Sequence, residues 1–144
     1  MSAEVNSSTE ADPAKLYIDY LAAEGYRPEI DKDGDVVFKK EGYTYIIIVD
    51  KGDEAFFRLC FPNFWRLSTE AEKQKAYVAC NSVNRESKVA KVTVVSDNVW
   101  INIELYVPTR DAFKPLFDRS LRSITNAVKN FANNMKVDAT PATK

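Results

Sequence analysis

Three aspartates, two cysteines and a cationic helix face are the groups here whose types and spacing could do chemistry. Asp31-x-Asp33-x-Asp35 offers carboxylates at alternate positions, as the start of a calcium loop does. Such a loop also needs Gly at its sixth position and Glu at its twelfth. Here Gly34 falls fourth and Gly42 twelfth, so the run reads as a hairpin turn. Cys60 and Cys80 each have apolar neighbours and read as reduced, buried thiols rather than a disulfide or metal pair. His is absent, which removes the commonest general base and metal ligand. No Ser, Thr or Cys therefore has its usual activating partner. Glu70, Glu72, Glu86 and Glu104 show no spacing that would pair two carboxylates about a glycosidic bond. The four glycines are scattered, so no loop is built to cradle a phosphate. The expectation is a protein that is not an enzyme and takes no cofactor and no metal.

The basic groups concentrate late in the chain. Residues 1–54 carry 6 basic and 13 acidic side chains, residues 55–109 carry 7 and 5, and residues 110–144 carry 7 and 3. Opposite ends of opposite sign suit internal attraction, self-association or an acidic partner. Net charge is −1, so no global field draws in nucleic acid. A solvated face is the default reading of the Arg and Asn residues on the last helix. No apolar run approaches the ~20 residues of a membrane helix, and the polar, acidic start lacks the pattern of a signal peptide. A cytoplasmic protein with neither a nucleic-acid nor a membrane partner is expected.

The elements that must position these groups follow from periodicity and turn chemistry. Residues 1–11 and 137–144 read as tails flanking one domain at 12–136, within the size of a single core. Asp12-Pro13 starts a short helix and Gly25 ends it. Strands are expected at Val36–Lys39, Tyr43–Asp50 and Ala55–Phe61, with Pro62 breaking the third. Tyr43–Asp50 is apolar on both faces, which places it inside a sheet. Thr69 and Glu72 form a capping box for a second helix that runs to about Arg85, with Ala76, Ala79, Cys80 and Val83 as its core stripe. Strands at Val89–Val95 and Val99–Val107 follow, and a long helix spans roughly Asp111–Met135. The order α-β-β-β-α-β-β-α, with hairpin turns, gives an α+β fold whose helices pack on an antiparallel sheet.

That sheet carries surplus apolar surface. If the long helix covers one face, Trp100 and Tyr106 remain on the other, and Phe64 and Trp65 add aromatics before the second helix. Several on one side suggest a patch that another chain or the second helix covers. Asn81 and Asn84 lie one turn apart near the end of the second helix. They suit either a polar partner contact or local bonds to loop backbone.

The stretch A-C-N-S-V-N-R-E-S-K-V-A-K-V (Ala79–Val92), the early D-x-D-G-D-V-V-F-K and the terminal F-x-R-S-L helix carry a resemblance. Over about residues 14–135 the chain resembles the YbjN family of bacterial sensory transduction regulators. With it come the class I type III secretion chaperones, which share the secretion-chaperone-like fold. The resemblance implies a small cytoplasmic bacterial protein, often a homodimer, that binds protein or peptide partners through apolar patches and sheet edges. Phe64, Trp65, Asn81, Asn84, Trp100 and Tyr106 are the partner-binding candidates. The alternative is a small-ligand sensor with a pocket between the long C-terminal helix and the sheet.

Overall fold

The computed structural model describes residues 12–136; the tails expected at 1–11 and 137–144 lie outside the described residues. Helix α1 spans Pro13–Ala23. Asp12 caps it by accepting the Ala14 N–H at 3.0 Å, which satisfies one of the donors a helix start leaves open. Gly25, at φ 97°, closes the other end. Its N–H donates to Ala22 and that of Tyr26 to Leu21, a Schellman arrangement that only glycine enters without strain. The turn sends Tyr26 back onto Phe38, 5.2 Å between ring centres.

Six antiparallel strands follow: β1 (Glu29–Ile30), β2 (Val36–Lys40), β3 (Tyr43–Ile48), β4 (Phe56–Arg66), β5 (Ala90–Val95) and β6 (Asn98–Tyr106), in the spatial order β1-β2-β3-β4-β6-β5. Strand β3 lies inside the sheet, as its two apolar faces require. The two-residue β1 is an addition to the expected order, paired with Val36 and Val37 at the sheet edge. Between β2 and β3, Glu41 and Gly42 both take positive φ, 53° and 86°, which gives a two-residue hairpin the twist of its strands.

Every described helix packs on one face of this sheet. Helix α2 (Glu70–Glu86) starts at the expected capping box, in which Thr69 Oγ1 accepts the Glu72 N–H at 3.1 Å. Its small stripe, Ala76, Ala79, Cys80 and Val83, is buried. The last helix differs from its sequence reading. Arg110–Leu116 forms a 3₁₀ segment, and helix α3 begins only at Phe117 and runs to Lys136. Pro115 has no N–H to give an α-helical ladder. The tighter winding seats Phe113 edge-on to Tyr17 at 4.9 Å and stacked on Phe57 at 5.1 Å. From there Phe117, Leu121, Ile124, Phe131 and Met135 run buried over Val99, Ile101 and Ile103 of β6. Among the described residues no element covers the opposite face, where Val37, Ile46, Ile48 and Phe56 are half-buried only by their neighbours. None of the described helices is long and apolar enough to cross a membrane.

Candidate functional site

The most distinctive local geometry is made by an irregularity in β4. Phe61 pairs with Ile101 and Trp65 with Val99, so Pro62, Asn63 and Phe64 all lie opposite Trp100 alone. The extra residues bulge outward and bend the strand. Pro62, expected to end the strand, sits inside it, because a bulged position asks for no ladder N–H. Asn63 takes φ 53°, a conformation Asn enters more readily than most residues. Its Oδ1 accepts the Trp100 Nε1–H at 2.8 Å, which pins the bulge.

The bulge turns Phe64 toward the helix side, where it stacks on Phe61 at 5.6 Å and meets Phe131 of α3 edge-on at 5.5 Å. Trp65 approaches Phe131 edge-on at 5.3 Å. A row of stacked rings then crosses three strands: Phe38 on Tyr45 at 5.5 Å, Tyr45 on Phe61 at 4.7 Å, and Phe61 on Phe64. Tyr43, 60% exposed, stands edge-on to Phe61 at the rim. Beside the row α3 leaves a groove of about 650 Å³ lined by Tyr43, Phe61, Phe64, Trp65, Val128 and Lys129, with Glu41, paired with Lys40 at 3.3 Å, also on its lining. It lies between the long C-terminal helix and the sheet. It offers ring faces and edges, one ammonium and one carboxylate. Burial pushes the Tyr45 hydroxyl above its ordinary pKa, so this phenol stays neutral near pH 7. Such a lining suits apolar or aromatic groups of a ligand, held by area and ring packing.

The six residues singled out from the sequence do not form one surface. Phe64 and Trp65 line the groove. Trp100 lies on the uncovered sheet face, tied to Asn63. Tyr106, 88% exposed, sits near the end of β6 beside Phe56, 6.2 Å between ring centres. Six residue steps along the strand separate the two, roughly 20 Å. Between them Glu104 pairs with Arg58 and Lys91, and Arg58 Nε donates to Asn102. This polar network splits the apolar surface and covers Cys60. The single patch expected from Trp100, Tyr106, Phe64 and Trp65 is therefore divided between two faces. The Asn84 amide is already engaged. Its Nδ2 donates to the Val92 carbonyl at 3.0 Å and its Oδ1 accepts the Val92 N–H at 2.8 Å. It thus occupies the outer edge of β5, where a further strand would otherwise pair. Asn81 is exposed on α2.

The remaining chemical candidates have structural surroundings. Burial pushes the Cys60 thiol up to about 12 and that of Cys80 to about 11, so neither is a thiolate nucleophile near neutrality. The Asp31 carboxylate accepts the N–H groups of Asp33 and Asp35, both at 2.9 Å, and Asp35 accepts that of Val49. The first two bonds build the β1–β2 turn expected from the sequence, and the third ties that turn to the end of β3. Tyr43, Asn63 and Lys129 are groove residues that the sequence reading did not single out. Proline followed by Asn and two aromatics was the available signal for a bulge rather than a strand end.

A family model described as "YbjN: Putative bacterial sensory transduction regulator" matches residues 18–136. No curated protein matches the chain. Among solved structures, an uncharacterized protein from Methanothermobacter thermautotrophicus is similar in fold. It has a TM-score of 0.55 at 11% identity, over 85% of this chain and 99% of that one.

Proposed function

The chain belongs to the YbjN family, and from that premise we propose that it is a non-enzymatic regulator module that binds a polypeptide segment in the aromatic groove. The observation that carries this reading is the groove itself, with Tyr43 exposed at its rim and Phe64 and Trp65 held open by the β4 bulge. Aromatic side chains presented this way bring large contact area at low conformational cost. An apolar or aromatic side chain of a partner would enter between Tyr43 and Phe64, with Lys129 and Glu41 selecting charge at the mouth. In this reading the module takes no cofactor and acts in the cytoplasm.

Selection of peptides from a displayed random library tests it. Enriched peptides should carry aromatic or long aliphatic residues. The double substitution Tyr43→Ser and Phe64→Ser should weaken them at least about tenfold, as loss of a central aromatic contact does. Circular dichroism should stay unchanged. Undiminished binding by that variant would remove the groove from the account. The groove's volume also suits a second reading, a small-ligand sensor at the same place. A metabolite that raises the melting temperature of the wild type, and not of the double variant, would favour it.

A further inference from the structure

The other flank of α3 carries chemistry that the groove does not use. Helical spacing puts Arg119, Arg122, Ser123, Asn126 and Asn130 on one stripe. That stripe faces the segment Glu86–Ala90 that joins α2 to β5. Together they enclose a cleft of about 380 Å³. Lys88, Arg119 and Arg122 make no ion pair among the described residues. The one carboxylate on the lining is Glu86. The C-terminal dipole of α2 adds only about half a negative charge, so the cleft stays cationic. A second cavity of about 230 Å³ adjoins it and shares Lys88, Val89, Arg119 and Ser123. Its own walls are Leu105, Leu116 and Ser120, whose hydroxyl already donates to the Leu116 carbonyl, and Val89 and Leu116 are among the exposed large apolar residues.

We propose that these two joined cavities bind a small amphipathic oxyanion, its charged head between Arg119, Arg122 and Lys88 and its short apolar tail against Val89, Leu105 and Leu116. Two guanidinium forks can meet a phosphate or carboxylate bidentately, which exposed lysines alone do not. Ser123, Asn126 and Asn130 supply the neutral donors that orient such a head. The combined size falls in the range of small-molecule sites, which favours a dissolved ligand over a long peptide or a nucleic acid.

Isothermal titration with hexyl phosphate, inorganic phosphate and hexanol tests this on the full chain. Hexyl phosphate should bind about tenfold more tightly than inorganic phosphate, since two buried methylenes suffice for that factor. Hexanol should not bind. Arg119→Gln with Arg122→Gln should cost at least about tenfold, the scale of lost charge-assisted hydrogen bonds. Leu116→Gln should reduce hexyl phosphate to the affinity of inorganic phosphate and leave the latter unchanged. The Tyr43→Ser and Phe64→Ser variant should bind hexyl phosphate normally, so the groove and the cleft fail separately. Equal affinity for the two phosphates, or indifference to the double arginine substitution, would overturn the proposal. So would binding to phosphatidylglycerol vesicles with none to dissolved hexyl phosphate, which would make the ligand a membrane surface.

Discussion

Helix α3 separates two concavities of opposite character. On one flank Thr125, Val128 and Lys129 face the stacked rings of β3 and β4; on the other Arg119, Arg122 and Asn126 face the start of β5. The buried stripe between them, Phe117 to Met135, is common to both. The groove is apolar because a strand bulge exposes rings that a regular ladder would have turned into the core or the opposite face. The cleft is polar because a short connection brings the end of α2 to the helix without bringing enough acid to pair its arginines. One helix can thus present two unlike surfaces to two unlike ligands while its core stripe holds both in place.

The largest effect is expected in the shared stripe. Phe131 is fully buried beneath Phe64 and Trp65. Phe131→Ala should cost about 3–5 kcal/mol by urea denaturation, the range for a deleted core ring, and should collapse the groove while the arginine stripe keeps its helix. A loss near zero would mean that the groove has no rigid floor. A smaller effect is expected on the cleft side. Asn84→Ala leaves the Val92 N–H and carbonyl without their side-chain partner and should cost about 1–2 kcal/mol. Faster amide exchange confined to β5 is the accompanying signature. Exchange rising equally in β2 would contradict the assignment of Asn84 to that edge.

The smallest effect sits where α2 meets the β5–β6 turn. There Lys73 Nζ lies 3.0 Å from Asp97 Oδ1. The hydrogen bond from Lys73 lowers the Asp97 pKa below its ordinary 3.8, and the same bond raises that of Lys73 above 10.5. The Asp97 contribution to stability is present above pH 3.8 and is lost as pH falls through the depressed value. The Lys73 contribution is present below pH 10.5 and is lost as pH rises through the raised one. Lys73→Gln should therefore differ from the wild type by a small, constant amount through neutral pH, with the difference fading at both extremes. Both groups face solvent, so added salt should reduce the difference further. A difference that varied across the neutral range would point to another titrating partner.

Much of the frame was legible because local rules and tertiary needs agree. Asp12, the Thr69–Glu72 box, Gly25 and the two-faced apolar strand at Tyr43 each read the same in sequence and in structure. The groove was not legible. Pro62 read as a strand end because it lacks a ladder donor, whereas the bulge makes that donor unnecessary and carries β4 on to Arg66. Trp100 and Tyr106 do share a sheet face, as period-two alternation says. Periodicity does not reveal that Arg58 and Lys91, from neighbouring strands, converge on Glu104 between them. The Asn84 spacing was visible, but its partner is set only when β5 returns along α2.

Under the proposed function the groove, and not the open sheet face, takes the partner. The chain has two tryptophans, and one reports on each surface: Trp65 on the groove and Trp100 on the open face. Titrating a selected peptide into ¹⁵N-labelled protein and following the two indole N–H resonances makes the test. Binding in the groove should move the Trp65 signal progressively with peptide while the Trp100 signal, held by Asn63, stays. Movement of Trp100 with Trp65 unmoved would contradict it and transfer the binding surface to the other side of the sheet.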